Sequence, residues 1–151
     1  MAERVAELRP VAGDVVFTNG VFDVLHVGHV RYLEHARSLG GLLVVGVNSD
    51  ASVRMLGKGP ERPIVPQAER AEVIAALGCV DFVCIFDEMR PDVTIRAIKP
   101  DIHVKSAQYR AEDLPEAAAV RDVGGRIELA PHIDGRSTTD LIARIRAGDG
   151  V

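Results

Sequence analysis

The sequence predicts an α/β fold built on a doubly wound, five-stranded parallel sheet. Short β-branched runs alternate with longer stretches of helical periodicity, the pattern of successive βαβ units. The run Leu42–Val47 is apolar at consecutive positions, as a parallel strand buried on both faces requires. The breakers Gly40-Gly41, Lys99-Pro100 and Gly124-Gly125 each separate a helical pattern from the strand that follows.

In chain order, Val15-Val16-Phe17-Thr18 is the first strand and Asn19-Gly20 its turn. A helix from about Gly28 to Leu39 follows, with Val30, Leu33 and Ala36 on one face and Gly40-Gly41 as its stop. Leu42–Val47 is the second strand, Glu69 to Leu77 a helix, and Phe82 to Phe86 the third strand. Pro91 opens the next helix at its first turn, where a missing N–H is harmless, and Lys99-Pro100 closes it. Ile102-His103-Val104 is the fourth strand, Leu114 to Val123 an alanine-rich helix, and Arg126 to Leu129 the fifth strand. Ser137 caps a last helix through Ile145. The segment Leu56 to Gln67 carries two glycines and three prolines and is expected to be irregular; such loops are usually functional or disordered. Residues 1–151 read as a single domain, with 1–12 a peripheral N-terminal extension. Right-handed crossovers leave few strand orders, and a Rossmann-like 3-2-1-4-5 is expected. Its switch point lies beside the first strand, so chemistry belongs at the turn after Thr18.

Composition narrows the function classes. A net charge of −4 argues against a nucleic-acid-binding face, which shows as a basic excess. No stretch approaches the ~20 apolar residues of a membrane span, and the charged N-terminus has no signal-peptide pattern. Cys79 and Cys84 have no His or Cys partner at metal spacing and read as buried thiols in a reducing cytoplasm.

At the first turn stand Thr18-Asn19-Gly20-Val21-Phe22-Asp23 and then His26-Val27-Gly28-His29. Residues three apart share a helix face, so His26 and His29 can point at one ligand. Gly28 lets a bulky anion approach the backbone, and the helix start adds free N–H groups and a positive dipole end. Together these suit a triphosphate, whereas a protein metal site lacks a third ligand. A second anion-binding element is Arg136-Ser137-Thr138-Thr139, although Ser137 with Asp140 also fits a plain capping box. Lys58, between Gly57 and Gly59, is a cation of the kind that is usually solvated surface; over a phosphate site its loop can close.

These motifs resemble the cytidylyltransferase-like nucleotidyltransferases, and among them the adenylyltransferase domain of bacterial heptose-phosphate enzymes that make ADP-heptose. The resemblance runs from Thr18 to about Ile145 through T-N-G-V-F-D-V-L-H-V-G-H, V-V-G-V-N-S-D-A-S, R-P-I-V-P-Q-A-E-R, I-K-P-D-I-H-V-K and D-G-R-S-T-T. In that family the domain is often fused to a sugar kinase; here it reads as standing alone. The resemblance implies that His26 and His29 stabilise the transition state at the α-phosphate and that Lys58 is the mobile phosphate lysine. It implies that Ser137, Thr138 and Thr139, with Arg136, hold the β- and γ-phosphates. Gly20, Phe22 and Gly28 fall on the nucleotide side together with Lys105, Gln108 and Tyr109, and Asp23, Asn48 and Asp50 on the acceptor side. Where the heptose enzymes read K-G-G-D-Y, this chain has Lys105-Ser106-Ala107-Gln108-Tyr109, so the segment beside the nucleoside departs from the pattern.

The implied reaction is in-line attack of a sugar 1-phosphate oxygen on the α-phosphorus of ATP, with pyrophosphate leaving. The attacking phosphate is already ionised near neutral pH, so catalysis reduces to positioning and charge stabilisation. Mg²⁺ is expected to arrive with the nucleotide, and a homo-oligomer, with a dimer favoured, is expected. Rival readings are another nucleotide and acceptor, such as CTP with glycerol 3-phosphate, and a non-catalytic nucleotide sensor on the same fold. A redox dinucleotide domain is disfavoured because the first turn lacks G-x-G-x-x-G. A class I aminoacyl-tRNA synthetase fragment is disfavoured by the absence of a basic face.

Overall fold

One parallel sheet organises the chain: β1 Val15–Gly20, β2 Leu42–Asn48, β3 Phe82–Phe86, β4 Ile102–Ser106 and β5 Arg126–Ala130. Its order, β3-β2-β1-β4-β5, is the one the sequence predicts. The structure is a computed structural model that describes residues 1–57, 59–107, 110, 113–131 and 138–148. The helices are α1 Ala2–Ala12, α2 Val27–Ser38, α3 Asp50–Met55, α4 Gln67–Ala75, α5 Asp92–Ile98, α6 Ala117–Asp122 and α7 Thr138–Ala147.

Alternation along β1 divides the core into two layers, because successive side chains of a strand face opposite sides. Val16 packs with Leu33 of α2, Val45 of β2 and Ile74 of α4. Val15 and Phe17 pack on the other side with Val5 of α1, Ile95 of α5 and Ala119 of α6. β2 is buried along its whole length, and each fully buried Val or Leu there contributes ~1.5–3 kcal/mol.

The first twelve residues, expected as a peripheral N-terminal extension, are tied into the core. They form α1, whose Val5 is fully buried and whose Leu8 and Ala12 pack beside it at helical spacing. Arg9 Nη1 reaches both carboxylate oxygens of Asp101 at 2.6 and 2.7 Å, and Asp101 also accepts from Val15 N. This end of α1 explains the Gly40-Gly41 pair more fully than a helix stop does. Gly41 N donates to Asp14 O at 2.9 Å, and a Cβ on Gly41 would fall 1.6 Å from Ala12 O.

Near the carboxyl ends of the strands the elements run longer than local pattern suggests. Pairing carries β1 to Gly20, opposite Val47, and β4 to Ser106, opposite Ala130. Ser49 caps the unanticipated helix α3 by accepting from Ser52 N, so the irregular segment is confined between α3 and α4.

Candidate active site

The carboxyl ends of β1 and β4 border a cleft of about 1530 Å³. It lies where a doubly wound sheet places its ligands.

The wall begins with a strained turn. Phe22 has φ 49, a left-handed conformation that costs a residue with a side chain ~1–2 kcal/mol. Its ring is buried, closes on the bare α-carbon of Gly20, and meets His29 edge-on at 5.4 Å. Gly20 and Phe22, expected on the nucleotide side, therefore line the cleft and also shape the turn that presents the histidines.

His26 is extended and forms the N-cap of α2, its Nδ1 accepting from Gly28 N at 3.1 Å. A backbone N–H can only donate, so Nδ1 holds the lone pair and a neutral His26 carries its proton on Nε2. His29 follows on the first turn, and the two rings stack 3.9 Å apart at 28°. The spacing of three brings the two rings together, and both rings and Gly28 line the cleft. One turn later, Tyr32 donates to Val104 O at 2.8 Å and lies 2.7 Å from Thr18 Oγ1, fastening α2 to β1 and β4.

Lys105, at the end of β4, donates to Asn19 Oδ1 at 3.1 Å and pairs with Glu116 Oε1 at 2.9 Å. The same oxygen faces His103 Nε2 at 3.4 Å. Burial alone would raise the Glu116 carboxyl, but the hydrogen bond from His103 and the charge of Lys105 outweigh it and bring it down to about 2. Burial pushes His103 below its usual value, and its ring stacks on Phe17 at 5.5 Å. At neutral pH the triad therefore holds an ionised Glu116 and a neutral His103.

Thr138 and Thr139, at the start of α7, also line the cleft, and Thr138 Oγ1 donates to Val24 O at 3.3 Å. Lys58, Gln108, Tyr109, Arg136 and Ser137 lie outside the described residues, as does the Asp140 side chain of the expected capping box.

The acceptor-side residues divide differently from expectation. Asp23 lines the cleft, but its buried carboxylate accepts from Ile64 N and Val65 N, each at 2.8 Å, and forms an ion pair with Arg62. Asp50 is absent from the cleft wall; it pairs at 2.7 Å with Arg70, which is buried and donates to Val65 O and Val21 O. Backbone N–H groups of the 62–66 loop have no strand partner, and carboxylates supply one. Asn48 lines the cleft while donating to Ser52 Oγ at 2.9 Å. The wing beyond it is built from the β3–α5 connection at Glu88, Arg90 and Asp92.

The cysteines are half-buried rather than buried, and burial raises both thiols, Cys84 to about 11, so both stay protonated at neutral pH. Asn19, Tyr32, Arg62, Arg70 and Glu116 were not anticipated. Each acts through a contact distant in sequence; only Glu116, at the N-cap of the alanine-rich helix α6, carried a local hint.

With this geometry in place, a family model described as Cytidylyltransferase-like matches residues 17–144, most of the chain. The chain belongs to the cytidylyltransferase-like nucleotidyltransferase family. It is 55% identical over 134 residues to the bifunctional protein HldE of Geotalea uraniireducens, covering 89% of this chain and 27% of that protein. It is 50% identical over 143 residues to the HldE of Streptomyces coelicolor, covering 95% of this chain and 31% of that protein. The chain thus spans less than a third of these relatives. A solved lipopolysaccharide core biosynthesis protein from Thermoplasma volcanium superposes with a TM-score of 0.65 at 30% identity, over 80% of this chain and 96% of that one. Membership in the family makes this chain an enzyme of the nucleotidyltransferase class. Among the described residues no helix is long and apolar enough to cross a membrane.

Proposed function

We propose that this chain transfers a nucleoside monophosphate, AMP before others, from an NTP to a sugar 1-phosphate and releases pyrophosphate. D-glycero-D-manno-heptose 1-phosphate is the favoured acceptor. The observation that carries the reading is the stacked His26–His29 pair at the start of α2, facing the switch-point cleft. Similarity to HldE proteins supports the choice of heptose.

On this reading the nucleotide lies on the β4–β5 side, near Lys105, Thr138 and Thr139, and the acceptor on the β2–β3 side, near Asn48. An oxygen of the acceptor phosphate attacks the α-phosphorus in line; the new P–O bond forms as the bond to the bridging oxygen breaks, and the electron pair leaves on pyrophosphate. His26 Nε2 and His29 face the charge that builds on the α-phosphoryl oxygens, where preorganised donors act most strongly. Polyphosphate nearby favours the imidazolium form, and protonation of His26 Nδ1 would exchange the Gly28 cap for a phosphate contact. Mg²⁺ arriving with the triphosphate would supply charge neutralisation, held largely by substrate oxygens and water. Lys58 closes over the leaving group, in a cytoplasmic enzyme whose favoured assembly is a dimer.

Pyrophosphate release across four NTPs and a panel of sugar 1-phosphates tests the reading. ATP with the heptose 1-phosphate is expected to be fastest, with ATP ahead of CTP by ~10-fold, as when no buried polar group is left strictly unpaired. Preference for CTP with glycerol 3-phosphate would overturn the substrates and keep the reaction class. No release with any pair would overturn the reaction.

A further inference from the structure

Lys105 is the cation that the described residues place between the ends of β1 and β4, and it does not stand there by its own stiffness. A lysine side chain has four rotatable bonds and loses substantial rotamer entropy when held in one place. Here the ammonium is caught between Asn19 Oδ1 on β1 and Glu116 Oε1 on α6. Glu116 is itself buried and lines the cleft. Its carboxylate is met from beneath by His103, whose ring is fully buried against Phe17. The chain of contacts therefore runs from the core through a carboxylate to a cleft-facing ammonium.

We propose that Glu116 is a positioning residue: it fixes the Lys105 ammonium at the switch point so that this charge meets the anionic part of the nucleotide. The proposal rests on the nucleotidyl-transfer reading of the cleft. A carboxylate on the wall of a polyanion site is otherwise unfavourable, since it repels the ligand. That gives the test its direction. If Glu116 merely fills space, Glu116→Gln removes a repelling charge and ATP binds more tightly. If it positions Lys105, the same substitution weakens ATP binding despite the gain in net positive charge.

The experiment compares the wild type with Glu116→Gln, Lys105→Ala and the double variant, reading KM for ATP, kcat, and ATP affinity by calorimetry without acceptor. Lys105→Ala and Glu116→Gln are each expected to raise KM and Kd by ~10-fold, the size of one lost charge-assisted contact, with kcat changed much less. The double variant is expected to be no worse than Lys105→Ala, because residues that act as a unit are not additive. Glu116→Asp, which keeps the charge one methylene short, is expected to fall between wild type and Glu116→Gln, and it carries the same cycle if the glutamine variant is too unstable to purify. An unchanged or lowered KM, or an effect of position 116 that persists in the Lys105→Ala background, overturns the proposal. Calorimetric binding does not need turnover, so a wild type that binds ATP without releasing pyrophosphate would fail the functional reading while the coupling was still decided.

Discussion

Two polar networks flank the histidine turn, built from the same residue types and put to different ends. In the first, Asp23 and Asp50 are taken up by Arg62, Arg70 and the backbone of Ile64 and Val65, and Arg70 is fully buried. In the second, Glu116 and Lys105 hold each other at the cleft wall, with Asn19 as a further tether. The first network pairs its charges with one another and with backbone groups, and braces residues 62–66 against the turn after β1. The second leaves a cation at the edge of the cleft. A carboxylate is thus read as scaffold or as part of a site by what shares its oxygens, and residue type does not distinguish the two.

The largest effect that would sharpen this contrast is Arg70→Ala. Removing this buried side chain leaves a cavity, two carbonyls without their donor and Asp50 without its partner, and a stability loss of ~3–5 kcal/mol is expected from urea unfolding. A loss within the ~0–1 kcal/mol of surface pairs would mean that the first network braces nothing. His29→Ala should behave in the opposite way: turnover falling ~10²–10³-fold, as for one lost preorganised donor, with unfolding and ATP affinity moved far less. Near-normal turnover would remove the stacked pair from the chemistry.

Asp23→Asn probes the border between the networks, since Asp23 both lines the cleft and holds the loop. Stability is expected to drop by ~1–3 kcal/mol, with faster proteolysis within 56–66. Unchanged stability with a raised KM for the sugar phosphate would instead make Asp23 an acceptor contact and break the comparison.

The smallest effect is in pH. His103 and Glu116 both have folded values below their ordinary 6.5 and 4.5, so the unfolded chain takes up protons first as pH falls. Stability from His103 is present above 6.5 and declines below it; stability from Glu116 is present above 4.5 and is lost towards pH 2. Thermal melts between pH 7 and 3 are expected to flatten at the acid end in Glu116→Gln. A variant curve parallel to the wild type would show that the carboxylate gains nothing from its partners.

Much of this is legible in the sequence. The strands followed from buried runs and breakers and their order from right-handed crossovers, while the spacing of three put His26 and His29 on one side without foretelling that their rings stack. The packing of the N-terminal helix is not legible there, because four charges mask a narrow apolar stripe of Val5, Leu8 and Ala12. The acceptor role expected of Asp23 and Asp50 did not anticipate their arginine partners, which come from the loop and from α4.

The sequence by itself determined what is periodic or local: the parallel sheet, its order, the turn after β1 and the paired histidines on it. These depend on apolar period, on backbone geometry within a few residues and, for the strand order, on the right hand of βαβ crossovers. Only the tertiary structure decided which partner each charge finds and which of them border the cleft. Asn19 meets Lys105 across 86 positions, and Asp23 meets the Val65 amide across 42. The strength of such pairs is set by distance and by the loss of surrounding water, and both arise only when the elements pack.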